Sequence, residues 1–412
     1  MTLSKVSTLF FLCYLKIMMN KTMKYFPLIF SPFASQLGSA IYILGLNWLL
    51  VQATGNTKLL GLIEGLGGFA FLLGDFLVGI LVDQCNRKKV LVWTDVFATV
   101  VCLLGSIFIN NGKPQIWLLI VITSVLNLML AINYPAAKAI IPEVIEKDYL
   151  QRFNAISNTF FNMANIIAPI IGGALLAIKS ITFSEFLIAN ALSYLVAFFM
   201  NLLIPYKYSA PLRKKESIIS STIIGFNYVR HHPNLLTYML AMGIFNFNYA
   251  GFSLTTPYIA NHFFAGNSAS YSMFLVISAI GGLLGGVWLM LQKSKIKPEV
   301  IYIEQILYGC VLILCGCFFS IITWMIIAFI YGIFQARFFG SIITFIQDET
   351  NGAFLGRVFG LTFLFFDGIQ PIGSFIYGFF ISTWQQETYI ILGLCLLIFF
   401  VALLYKKAKF KI

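Results

Sequence analysis

Charge is what this chain has least of. Only 10% of its 412 residues are Asp, Glu, Lys or Arg, against about 25% in an ordinary soluble domain. So little charge cannot cover the surface of a water-soluble globule. That excludes a cytosolic enzyme, a nucleic-acid-binding module and a disordered scaffold. Histidine is scarce as well: three residues, of which His231 and His232 are adjacent. The seven cysteines are an odd number, form no C-x-x-C pair and mostly lie within apolar runs. They read as reduced packing residues, with no disulfide framework and no metal site. Walker loops, H-E-x-x-H and G-x-S-x-G are absent, so the sequence indicates no enzyme site, no ATP-driven work by this chain alone and no cofactor.

What fills the chain is apolar side chain, 59% of it. A helix needs about 20 such residues to cross the hydrocarbon core of a bilayer. Twelve stretches qualify, near 26–53, 59–82, 90–110, 115–139, 152–178, 183–204, 234–262, 269–292, 300–320, 322–346, 354–382 and 388–405. The expected class is an all-α polytopic membrane protein of twelve transmembrane helices. A polar segment at 205–232, with Lys207, Arg213, Lys214, Lys215 and Arg230, divides the spans six and six. The expected layout is a leader at 1–22, bundles at 23–204 and 233–405 around that central loop, and a basic tail at 406–412. Within the leader, Ser7 to Met19 is too short to span and is broken by Lys16. No small-x-small cleavage site follows it, and Met18, Met19 and Met23 offer alternative starts.

The basic residues orient the chain. There are 27 Lys and Arg against 15 Asp and Glu, a net charge of +12. If both termini are cytoplasmic, only Lys58, Lys113 and Lys179 fall in outer loops. Arg87, Lys88, Lys89, Lys293, Lys295, Lys297 and the tail all fall inside. By the positive-inside rule the excess is topological and no nucleic-acid partner is implied. An internal repeat supports the six-plus-six division. The segment Pro142 to Arg152 aligns without a gap on Gln347 to Arg357, an offset of 205 residues that also matches Gly173 to Gly378. Such an alignment marks two parallel repeats related by an axis along the membrane normal.

After span two the chain carries Gly79, Leu81, Asp83, Asn86, Arg87, Lys88 and Lys89. This resembles the inner-loop signature G-x-L-x-D-R-x-G-R-R/K of the major facilitator superfamily, with Asn86 at a glycine position and Gln84 at a basic one. Asparagine tolerates the left-handed backbone that glycine often supplies, so the turn is expected to survive. Ser35 to Tyr42 with Trp48, Tyr134 to Glu143 with Arg152 to Asn154, Gly225 to Pro233, and Gln370 to Ser374 with Gly378 are similar to the macrolide-efflux branch, which also holds siderophore exporters. Asn165, Ala168, Pro169, Gly172 and Gly173 resemble the fifth-span antiporter signature G-P-x-x-G-G, although the same residues also make a tight helix contact. The resemblance implies a cytoplasmic-face latch at Asp83 and Arg87. It also implies a bacterial inner-membrane location, a monomer, and a central cavity lined by spans one, four, seven and ten.

Ionisable residues inside spans are costly and point to function. Asp75 and Asp367 lead as proton-coupling candidates, with Glu64 third, because a carboxyl exposed alternately to the two sides can carry a proton. A structural ion pair is the competing reading for each. Arg337 in span ten can pair with either carboxylate, attract an anionic substrate or reach the inner interface. Asp95, near the Arg87 cluster, reads as a structural partner. Gln36, Tyr42, Asn47, Asn127, Asn133, Asn246, Tyr249 and Gln370 are candidate cavity residues, beside the stripe Asn154, Asn158, Asn162 and Asn165 on span five. Interhelical hydrogen bonding is the commoner use of such groups. The expected activity is proton-coupled export of an amphipathic small molecule, an antibiotic such as a macrolide or a siderophore. One alternative is an importer or facilitator of a siderophore, nutrient or lipid on the same fold; the other, disfavoured by the absence of a catalytic constellation, is a non-transporting membrane sensor or an intramembrane enzyme. The partners are that molecule, protons and the lipid bilayer.

Overall fold

The computed structural model describes residues 23–410 apart from 111–112, 179, 207–217, 265, 293–295 and 353. The leader, and Lys179, Lys207, Arg213, Lys214, Lys215, Lys293 and Lys295 of the charge pattern, lie outside the described residues. The first half comprises α1 (Pro27–Thr54), α2 (Thr57–Gln84), α3 (Arg87–Phe108), α4 (Ile116–Val144), α5 (Lys147–Leu176) and α6 (Phe183–Leu203). A short α7 (Ile218–Arg230) leads into the second half. That half is α8 (Pro233–Phe263), α9 (Ser268–Leu291), α10 (Pro298–Cys317), α11 (Ile321–Glu349), α12 (Leu355–Trp384) and α13 (Thr388–Phe410). Every predicted span falls on one of the twelve long helices. The main differences are at polar ends: α4 runs on past Pro142 to Val144, and α5 begins at Lys147. Hydropathy marks only the part of a helix that sits in hydrocarbon, whereas the backbone ladder continues into the interface.

Local chemistry sets the ends. Gly55 closes α1 in the left-handed conformation at φ 60°, its N–H bonded to the Val51 carbonyl. Thr182 with Glu185, and Ser320 with Thr323, form capping boxes at the starts of α6 and α11. Asn86 corrects one expectation. Its backbone is extended at φ −67°, and its side chain caps α3 by accepting from the Lys89 N–H. Asparagine serves this turn as an N-cap and not by adopting a left-handed backbone.

Among the described residues ten stretches are long and apolar enough to cross a membrane, the last of them, Arg357–Lys407, covering both α12 and α13. Helix α8 is outside that set because it carries Asn246, Asn248, Thr255 and Thr256, all buried. A helix enclosed by its neighbours can hold polar groups that a lipid-facing one cannot.

Within the first half α1 packs on α5 and α6, and α4 on α2 and α3. The second half repeats this, with α8 on α12 and α13, and α11 on α9 and α10. Across the halves α2 meets α12, α5 meets α9 and α1 meets α8. With twelve crossings the described ends of α1 and α13 share one face, called here the termini face; the opposite one is the far face.

Candidate substrate cleft and coupling site

The halves are sealed toward the far face. Thr57 Oγ1 donates to the Gly378 carbonyl at 2.9 Å. A Cβ on Gly61 would lie 2.5 Å from the Ser374 carbonyl oxygen, so only glycine admits this approach of α2 to α12. The seam continues through Gly65 against Phe375 and Gly68 against Pro371. On the other flank Gly173 of α5 abuts Ser272 of α9, and Ser268 donates to the Leu176 carbonyl at 3.3 Å. Between the flanks Trp48 stacks on Tyr271 at 5.6 Å, and Asn261 donates to the Val51 carbonyl at 3.4 Å.

Toward the termini face a polar cleft begins. Asn158, Asn162 and Asn165 lie along one side of α5 and are exposed. Ile156 and Ile170, also exposed, lie on the opposite side of the same helix. The isoleucines suit lipid; the amides require water or cargo, so they line an aqueous space. Gln36 of α1 donates to Asn165 Oδ1 at 2.9 Å. The second half echoes this bond: Asn246 of α8 donates to Gln370 Oε1 of α12 at 3.4 Å and to the Phe366 carbonyl at 2.5 Å. At the repeat offset, Asn162 corresponds to Asp367 and Asn165 to Gln370.

Asp75 of α2 and Asp367 of α12 flank the place where these helices of opposite halves meet, a Cβ on Gly368 lying 3.7 Å from Leu72 Cδ2. One oxygen of Asp75, Oδ2, is shut off from solvent and has no hydrogen-bond partner among the described residues. Glu64 is placed differently. It accepts from Asn47 at 2.7 Å and lies near Tyr249 and Tyr271, where α1, α2, α8 and α9 converge under the seal.

Arg337 does not reach the cleft or either leading carboxylate. It is 1% exposed and paired with Glu304 of α10, with Nη2 to Oε1 at 2.6 Å and Nε to both oxygens at 3.0 Å. Trp288 covers the guanidinium at 3.9 Å, and Gln292 accepts from Nη1 at 3.4 Å. Three helices of the second half are thereby pinned. Glu304 was missing from the sequence reading; a carboxylate one or two turns into an apolar span was the signal for it. Asp95, fully buried, plays a comparable part in the first half, accepting from Asn133 at 2.9 Å and from Asn201 at 2.6 Å.

Other candidates also serve packing. Tyr42 is buried and bonded to Thr123 at 2.9 Å, and Asn127 packs against Gly67. Tyr249 stacks near Tyr331 at 6.0 Å. Arg87 bonds Glu143 and the Ala139 carbonyl, and Lys88 holds the carbonyls of Leu202 and Ile204 at 2.8 and 2.7 Å. The surroundings of Gly79 and the side chain of Asp83 lie outside what is described. Pro169 is buried, Gly172 contacts Leu44 and Gly173 joins the seam, so the α5 signature forms helix contacts. Among the described residues no cluster of three His, Cys, Asp or Glu is placed to hold a metal.

Residues 28–369 match the family model described as Major Facilitator Superfamily. Macrolide efflux protein A of Streptococcus pyogenes is 22% identical over 367 residues, covering 88% of this chain and 90% of that protein. The Staphyloferrin A transporter of Staphylococcus aureus is 24% identical over 358 residues, covering 84% and 86%. In fold, the chain is similar to the crystal structure of nucleoside transporter NupG, with a TM-score of 0.73 at 15% identity over 94% of this chain and 99% of that one.

Proposed function

From the fact that this chain belongs to the Major Facilitator Superfamily, we propose that it is a proton-coupled exporter acting by alternating access. The cargo is an amphipathic small molecule, an antibiotic of the macrolide kind or a siderophore. The relatives named for macrolide efflux and for staphyloferrin A transport support that class, and the word efflux supports the direction. The distribution of Lys and Arg supports a cytoplasmic termini face in a bacterial inner membrane. On that reading the present conformation is open to the cytoplasm and sealed outside. A complete cleft within one chain fits a monomer.

The observation that carries the coupling is the pair Asp75 and Asp367. Two negative charges on facing helices of opposite halves, neither in an ion pair among the described residues, repel where water is sparse. A proton on either one removes the repulsion and allows α2 and α12 to close at that level. Loss of the proton to the cytoplasm restores it. The rocking of the halves is thus tied to protonation, and inward proton flow supplies the work of export.

Flux in proteoliposomes tests this. Asp75→Asn and Asp367→Asn should each abolish uphill transport of a macrolide or siderophore under a pH gradient while leaving membrane insertion intact. Undiminished gradient-driven transport by both variants refutes the assignment.

A further inference from the structure

Lys138 is a cation in the wall of the cleft whose partners are all neutral. It sits on α4, less than two turns from the end of that helix at Val144. Its ammonium donates to Ser157 Oγ at 2.9 Å and to Asn158 Oδ1 at 2.6 Å, both on α5. The ring of Tyr134 lies 5.3 Å away. The carboxylate closest along α4, Glu143, is committed elsewhere, to Arg87 and to the Tyr206 hydroxyl at 2.7 Å. Three other basic side chains are occupied: Arg337 by Glu304, Arg87 by Glu143, and Lys88 by helix-end carbonyls. Among the described residues Lys138 has no counter-ion.

Its surroundings are those of a binding site. Asn158 belongs to the exposed amide stripe of α5 and not to its lipid side. With its oxygen occupied by Lys138 and, at 3.3 Å, by the Tyr134 hydroxyl, its amide N–H groups remain available. Tyr134 stacks on Phe161 at 4.0 Å and forms a flat apolar wall beside the charge. An ammonium, free amide donors and an aromatic face together suit a ligand that is anionic at one point and apolar next to it.

We infer that Lys138, Asn158 and Tyr134 form an anion subsite of the cleft, and that the exported molecule carries a carboxylate or similar oxyanion adjoining an aromatic or otherwise apolar group. This rests on the reading of the cleft as a cargo site. It narrows the cargo to the anionic members of the proposed class. Lys138 supplies the counter-charge and fixes the orientation, while the Tyr134–Phe161 wall takes the apolar part.

Equilibrium binding to the purified full chain in detergent tests this without any gradient or direction of transport, so its outcome is independent of the proton-coupling test. The probes are 2-naphthoate and 2-naphthamide, nearly equal in shape and different in charge. The wild type should bind the carboxylate at least about tenfold more tightly than the amide, the scale of one charge-assisted hydrogen bond. Lys138→Gln should erase that preference, Lys138→Arg should restore it, and Asn158→Ala should reduce it. Thermal midpoints of the same samples report whether each variant is folded, and the Arg variant covers the case in which the Gln variant is not. Equal affinity of the wild type for the two probes, or an undiminished preference in folded Lys138→Gln, overturns the inference.

Discussion

The pair Arg337 and Glu304 offers the sharpest separation of a structural charge from a functional one. Arg337 makes contacts at 2.6 to 3.0 Å with the Glu304 carboxylate and is 1% exposed, so neither charge has water to fall back on. Removing one partner leaves the other buried and unpaired, a loss of about 3–5 kcal/mol. Glu304→Gln and Arg337→Met are each expected to lower the thermal midpoint of the purified protein by roughly 6–20 °C, taking about 2–4 °C per kcal/mol for a half-sized unit. The double variant Glu304→Leu with Arg337→Met removes both charges and keeps much of the apolar volume under Trp288. It should recover most of the loss, because replacing a buried pair by packed hydrophobes is often neutral. The assay is a double-mutant cycle from thermal unfolding, with flux measured at matched amounts of folded protein. Losses that simply add in the double variant refute the coupling. A double variant that is stable but transport-dead refutes the purely structural role of Arg337.

Three further outcomes follow from the geometry. Gly61→Leu drives a side chain into the Ser374 carbonyl, 2.5 Å from the Cβ position, and so opens the far-face seam. A cysteine at Asn158, in a chain whose exposed Cys85 and Cys317 are serine, should then be labelled several-fold more slowly by a thiol reagent applied from the termini face; an unchanged rate counts against alternation about this seam. Lys88→Met removes the ammonium that holds the Leu202 and Ile204 carbonyls and should cost about 1.5–3 kcal/mol in thermal unfolding, with gradient dependence of the remaining flux retained. Asp95→Leu strands the amide donors of Asn133 and Asn201 and should destabilise more than Asp95→Asn; equal effects would mean that these bonds add little.

The fold was legible because the bilayer imposes one rule on every segment. A long apolar run must be a helix if its backbone groups are to be bonded in hydrocarbon. Helix ends were less legible: α5 starts at Lys147, where polarity had suggested a loop. Side-chain roles were the least legible, because partners come from distant helices. Asn133, Tyr42 and Asn47 look alike in sequence as polar residues in greasy spans. In the structure all three are committed to neighbouring helices, through Asp95, Thr123 and Glu64. Arg337 gave the same sequence signal as a cargo ligand, and only the placement of Glu304 on α10 separates the readings. Lys138 had a readable sign that went unused: no Asp or Glu lies within four residues of it on α4.

The repeat itself shows where function departs from scaffold. Across the offset of 205, Arg152 matches Arg357, Gly173 matches Gly378, and the amide Asn165 matches the amide Gln370. These positions keep like residues in both halves. Other positions differ, two charged ones among them. Asn162 is answered by Asp367, and Lys138 is answered by Ile343. A duplicated bundle with identical walls has no reason to place a cation on one side and an acid on the other. Charges that only pin helices differ as well: Asp95 is answered by Val300, and Arg337 stands opposite Ile132. The proposed anion subsite on α4 and the proposed coupling acid on α12 occupy different halves, so a relative motion of the halves would change the separation of the two charges. On the proposed coupling, cargo and proton act on the same rigid-body coordinate from opposite sides of the cleft.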